Sequence, residues 1–169
     1  MKARTIARYG LLVALALVLS YLESLIPAFF AIPGMKLGLT NLVVLLALYR
    51  MGGAPAMLIN LVRIALVSML FGNALSLLFS LAGGLLSGAV MILLKRSGRF
   101  SMLGVSMAGG VAHNAGQILM AMLVLETWQV VSYLLVLWLT GLAAGLAIGL
   151  ICYEVMRRLP ERLFTEGGT

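Results

Sequence analysis

The sequence predicts an all-α polytopic membrane protein: one integral membrane domain over residues 1–169, a bundle of about six transmembrane helices, with both termini cytoplasmic. Three features of the chain point there. Between Tyr9 and Tyr153 only eight side chains are charged: Glu23, Lys36, Arg50, Arg63, Lys95, Arg96, Arg99 and Glu126. The hydrophobic fraction is 63% and the mean hydropathy is +1.13, well outside the range of a soluble domain. Apolar runs follow one another with Gly, Pro and charge at the breaks, and a bilayer core takes about 20 apolar residues per helix.

Each run has its own punctuation. The first spans about 6–30 and is left through Pro27 and Pro33. It resembles a signal peptide in having Lys2, Arg4 and Arg8 ahead of it, but it is longer than a signal core and lacks a clear small-residue cleavage site, so it is expected to be retained. The second covers 37–51. At 1.5 Å per residue its roughly 15 residues reach about 22 Å, less than the ~30 Å hydrocarbon core, so a partial span is one expectation and an untilted one the other. Gly52 and Gly53 stop it, and Pro55 is well placed to open the third run, 54–71. The fourth, 74–94, closes at Lys95-Arg96-Ser97-Gly98-Arg99; the fifth, 102–125, ends at Glu126; the sixth, 128–156, ends at Arg157-Arg158.

Six crossings put every basic cluster on one side. With the N-terminus inside, the inner segments hold Lys2, Arg4 and Arg8, then Arg50, then Lys95, Arg96 and Arg99, then Arg157, Arg158 and Arg162; the outer ones hold only Lys36 and Glu126. That obeys the positive-inside rule. It also accounts for the net charge of +7 without a nucleic-acid partner, because the charges sit at the ends of runs rather than on one basic face. The bilayer is the partner that composition requires.

Small residues recur every fourth position. Gly141, Gly145 and Gly149 do so on the sixth helix, Ala108, Ala112 and Gly116 on the fifth, Gly84 and Gly88 on the fourth, and Ala3/Ala7 with Gly10/Ala14 on the first. Such stripes let backbones approach closely where apolar burial gives little drive. They serve either packing within the bundle or docking of a partner.

Polar groups at membrane depth are costly and call for a reason. Arg63 lies mid-helix in the third run with Asn60 one turn before it, and Glu23 lies in the outer half of the first. Either Glu23 and Arg63 neutralise one another as an ion pair, or Arg63 faces a cavity and binds an anionic or carbonyl group. His113 and Gln117 share a face of the fifth helix among Gly109, Gly110 and Gly116, with Asn114 beside them. They can serve a ligand or interhelical hydrogen bonds. The segment Pro33-Gly34-Met35-Lys36-Leu37-Gly38-Leu39-Thr40-Asn41 reads as a connector in which Thr40 or Asn41 caps the next helix, or as a lid over a site.

That segment and His113-Asn114-Ala115-Gly116-Gln117, together with six spans in a chain this short, resemble the Gx transporter family, also known as heptaprenyl diphosphate synthase component I. The family is similar in size and topology to the substrate-binding S components of energy-coupling-factor transporters. The resemblance implies a small-molecule substrate of the micronutrient type, held near the Lys36 loop, His113, Asn114 and Gln117; Asn41 and Arg63 complete the expected substrate-binding set. It further implies a transmembrane scaffold protein near the small residues of the first helix, and ATPase subunits that energise uptake.

The enzyme name fits poorly. Prenyl elongation needs Mg²⁺ held by clustered aspartates, and this chain has no aspartate; its five acidic residues are glutamates without Mg²⁺-binding spacing. With a single His and a single Cys, no Cys/His metal cluster and no internal disulfide can form. Nor is there a nucleotide-binding loop, a nucleophile elbow or a zinc motif. No catalytic residue, cofactor or resident metal is expected. At most the chain is a non-catalytic membrane subunit of a heptaprenyl diphosphate synthase or of a membrane redox assembly.

Overall fold

A computed structural model describes residues 3–25, 38–129 and 134–160. Its elements are six helices: α1 Ala3–Leu25, α2 Asn41–Met51, α3 Gly53–Phe71, α4 Ala74–Ser97, α5 Met102–Leu125 and α6 Leu134–Arg158. No strand occurs among the described residues. Five of the helices (all but α2) are long and apolar enough to cross a membrane. The expected spans 54–71 and 102–125 match α3 and α5 to within a residue. α4 runs three residues beyond the expected 94, and α6 begins at Leu134 rather than 128, after a 3₁₀ turn at Trp128 and Gln129. α1 ends at Leu25; residues 26–30 of the expected first span lie outside the described residues, as do Pro33, Lys36 and Leu37.

α2 shows why the second run is short. Gly38 takes φ +83°, a left-handed conformation that glycine adopts at no cost. Leu39 and Thr40 then form a turn, so the helix starts at Asn41 rather than 37. Its 11 residues reach about 16 Å, roughly half a hydrocarbon core. Thr40 occupies the N-cap position, yet its hydroxyl makes no capping bond; it is spent elsewhere, as described below. Gly52 (φ +101°) alone joins α2 to α3, donating its N–H to the carbonyls of Ala47 and Leu48. Pro55 falls in the first turn of α3, where its missing N–H costs nothing. Asn73 caps α4 by accepting from Ser76 N at 2.8 Å, and Ser101 caps α5 by accepting from Gly104 N at 3.2 Å.

Close approach of glycines builds the bundle. A Cβ placed on Gly110 of α5 would overlap the carbonyl oxygen of Gly141 on α6; one on Gly145 would lie 2.6 Å from Met107 Cα. On the other face of α5, a Cβ on Gly116 would lie 2.6 Å from Ala82 O of α4. Gly84 and Gly88 of α4 receive Ile64 and Met57 of α3 in the same way, each 2.7 Å from where a Cβ would be. The stripes on α4, α5 and α6 are therefore consumed inside the bundle. Gly141, Gly145 and Gly149 are all buried against α5. The small residues of α1 differ: Ala3, Ala7, Gly10 and Ala14 are all exposed, and nothing lies within 4 Å of a Cβ built on Gly10.

α2 is the axis of one half of the molecule. Val43, Val44, Leu45, Leu46, Ala47 and Leu48 are all buried, in a cluster with Leu12 and Ala16 of α1, Ala56 and Ile59 of α3, Met91, Val105, Ile148 and Cys152. A smaller cluster of Phe79, Ile118, Ala121 and Leu137 fills the opposite half between α4, α5 and α6. The end nearer α2 is basic. Arg50 Nη2 donates to the carbonyls of Met156 (2.8 Å) and Leu159 (3.2 Å), closing the C-terminus of α6. Lys95 donates to Leu48 O at the end of α2 and lies over the Tyr49 ring. Cations suit helix C-termini because they meet the unpaired carbonyls and the negative end of the dipole.

Candidate functional site

Between the two apolar clusters runs a layer of buried polar side chains, centred on the Gly38–Asn41 turn. Placing the start of a half-length helix at mid-height brings this turn against three longer helices. From α1, Glu23 (6% exposed) accepts the Gly38 N–H and the Thr40 hydroxyl. From α3, Arg63 (5% exposed) donates Nη1–H to Thr40 Oγ1 at 3.0 Å. Asn60, one turn earlier, accepts both Nε–H (3.0 Å) and Nη2–H (2.8 Å) of Arg63 on its Oδ1. Its own amide donates to Gly84 O at 2.9 Å, fixing the guanidinium plane to α4. From α5, His113 comes alongside: a Cβ on Gly38 would lie 3.0 Å from Asn41 Nδ2 and 4.0 Å from His113 Cδ2. Gln117 Nε2 meets His113 Nε2 at 3.2 Å.

Thr40 thus stands between Glu23 and Arg63, and the two charges meet through its hydroxyl rather than in a direct ion pair. The hydroxyl donates to the carboxylate and accepts from the guanidinium, so one small side chain serves both. That is why it is not free to cap α2. Charges in a low-dielectric bundle persist only when paired and hydrogen-bonded, and this relay meets both conditions. Close helix contact supports it: a Cβ on Gly83 would lie 2.9 Å from His113 O, so α4 can press against α5 only with glycine there.

Of the residues expected to bind substrate, Asn41, Arg63, His113 and Gln117 gather around this one turn. Asn114 does not join them. A helix turns about 100° per residue, and from position 114 the amide faces α6, donating to Leu137 O at 2.7 Å. Replacing Asn114 with alanine is expected to cost about 1 kcal/mol, the size of an interhelical hydrogen bond in a membrane bundle, and to leave any ligand affinity unchanged; thermal unfolding and binding on one preparation check both. Lys36 lies outside the described residues. Sequence reasoning left Glu23, Thr40 and Asn60 out of the expected binding set. The i, i+3 spacing to Arg63 marked Asn60 as a neighbour. Its position marked Thr40 only as a helix cap, and its partners in the site are 17 and 23 positions away. Among the described residues no three His, Cys, Asp or Glu side chains converge to hold a metal ion.

Fold and site together define a multi-pass helical membrane protein with a buried polar layer inside the bundle. Residues 12–155 match the family described as heptaprenyl diphosphate synthase component I, and the chain belongs to that family. No curated protein and no solved structure matches it.

Proposed function

We propose that this protein is the substrate-binding integral membrane subunit of a small-molecule uptake transporter, S-component-like and energised by partner subunits. The observation that carries the reading is the polar layer itself. An apolar bundle needs no buried Arg, Glu, His and Gln for stability, and groups of this kind inside a membrane domain mark binding sites and pathways by default. Half-length helices that start at mid-membrane are a recurrent way of presenting such groups to a solute. The basic end of the bundle supports, through the positive-inside rule, a reading in which both termini are cytoplasmic and the protein lies in the cytoplasmic membrane. The chain is not an enzyme on this reading: its five acidic residues, all glutamates, offer no diphosphate-Mg²⁺ cluster. The exposed face of α1 with Ala3, Ala7, Gly10 and Ala14 is where a transmembrane scaffold carrying ATPases would sit.

The family description favours one other reading, a non-catalytic membrane subunit of a heptaprenyl diphosphate synthase. Saturable accumulation of labelled micronutrients in cells carrying the protein separates the two. Uptake is expected for one compound of the panel, with apparent affinity about tenfold weaker in His113→Ala, a loss of about 1.4 kcal/mol. Unchanged affinity in that variant contradicts the site. Absence of uptake across the panel, with prenyl synthase activity that depends on this chain, moves the function to the second reading.

A further inference from the structure

The polar layer also specifies a ligand chemistry. A guanidinium has five N–H donors. Arg63 commits three, two to Asn60 Oδ1 and one to Thr40 Oγ1. The remaining two, one on each terminal nitrogen, have no partner among the described residues. Gln117 is 2% exposed, and its Oε1 is buried without a hydrogen-bond partner. Since its amide nitrogen is directed at His113 Nε2, the oxygen points away from the imidazole. Arg63 and the His113–Gln117 pair flank the same turn, through Thr40 and Gly38. Among the described residues, two Arg63 donors and Gln117 Oε1 are therefore unmatched, in surroundings where unmatched polar groups are expensive.

We propose that this site takes an oxyanion, a carboxylate or phosphate group, on a molecule that also carries an O–H or N–H for Gln117 Oε1. The inference rests on the uptake reading and names the substrate class of that site. Guanidinium donors match the paired oxygens of carboxylates and phosphates. Asn60 holds the guanidinium plane in place before the ligand arrives, so little ordering is left to bind it. A neutral isostere leaves the Arg63 donors unmet and is rejected by far more than the ~tenfold that apolar fit alone provides. The same oxyanion chemistry has two sources, a water-soluble acid or a lipid-borne prenyl diphosphate.

The test is thermal unfolding of the protein in nanodiscs, followed by tryptophan fluorescence. The water-soluble probes are lactate and inorganic phosphate, each at tens of millimolar, against lactamide and glycerol; farnesyl diphosphate is the lipid-borne probe. Lactate is expected to raise Tm and lactamide to leave it unchanged. Gln117→Leu should raise the lactate concentration needed about tenfold, the effect of losing one buried hydrogen-bond partner, and Arg63→Gln should abolish the response. Equal shifts with lactate and lactamide overturn the proposal, as does no shift with any oxyanion, and both comparisons use the wild-type protein even if Arg63→Gln does not fold. No oxyanion shift alongside saturable uptake of a neutral micronutrient leaves the transporter reading standing and this inference overturned. A shift with farnesyl diphosphate alone supports oxyanion recognition and overturns the uptake reading instead.

Discussion

Gly110→Leu is expected to prevent the α5–α6 pair from closing. A Cβ at Gly110 already overlaps the carbonyl oxygen of Gly141; this atom is backbone, so no side-chain rotation relieves the clash and the helices must separate. Overpacking in a well-packed interior costs about 1–3 kcal/mol when side chains can give way, and here they cannot, so the loss should exceed ~3 kcal/mol. The same separation breaks the Ser106 Oγ–H bond to Gly145 O (2.6 Å) and the Asn114 bond to Leu137 O. Gly10→Leu provides the matched control, because nothing lies within 4 Å of a Cβ there. Thermal unfolding in mild detergent should show wild-type stability for Gly10→Leu and little or no folded protein for Gly110→Leu.

The second large effect is at Arg63. Arg63→Met removes the guanidinium that faces Glu23 through Thr40, stripping Asn60 Oδ1 of both donors and Thr40 Oγ1 of one. Breaking one side of a buried charge pair costs about 3–5 kcal/mol, whereas replacing both sides by neutral groups is far milder. Glu23→Gln keeps an oxygen to accept the Gly38 N–H, and its amide N–H can donate to Thr40 Oγ1 once the guanidinium is gone. The double variant Glu23→Gln/Arg63→Met should therefore be more stable than Arg63→Met alone, with a coupling of about 1–3 kcal/mol for groups in one network. Additive losses would show that the two charges do not act through Thr40 as a unit. The cycle is read from unfolding of the four proteins under identical conditions.

Much of this architecture was legible in the sequence because lipid imposes strong local rules. Apolar run length, Gly and Pro breaks and clustered cations gave the order of the six described helices, with the starts of α2 and α6 placed too early. The Gly141/Gly145/Gly149 stripe announced a tight helix contact, though not its partner. What stayed hidden depends on tertiary placement. The spacing of Thr40 and Asn41 suggested a cap, and only the burial of Glu23 and Arg63 on either side of Thr40 turned its hydroxyl into a relay. Asn114 and Gln117 looked equivalent beside His113, yet the helical rotation sends one to α6 and keeps the other with the imidazole. The start of α2 was misplaced by four residues because Gly38 can either extend a helix or turn out of it, and its left-handed φ is a consequence of the fold around it.

The proposed uptake role requires the polar layer to hold a solute while partner subunits drive its passage. Native mass spectrometry of the protein, purified from its own host's membranes in mild detergent, bears on that most directly. A retained small molecule carrying a carboxylate or phosphate, or a co-purifying transmembrane scaffold with ATPases, is the predicted result. A prenyltransferase subunit bound in their place, with no retained solute, would contradict it.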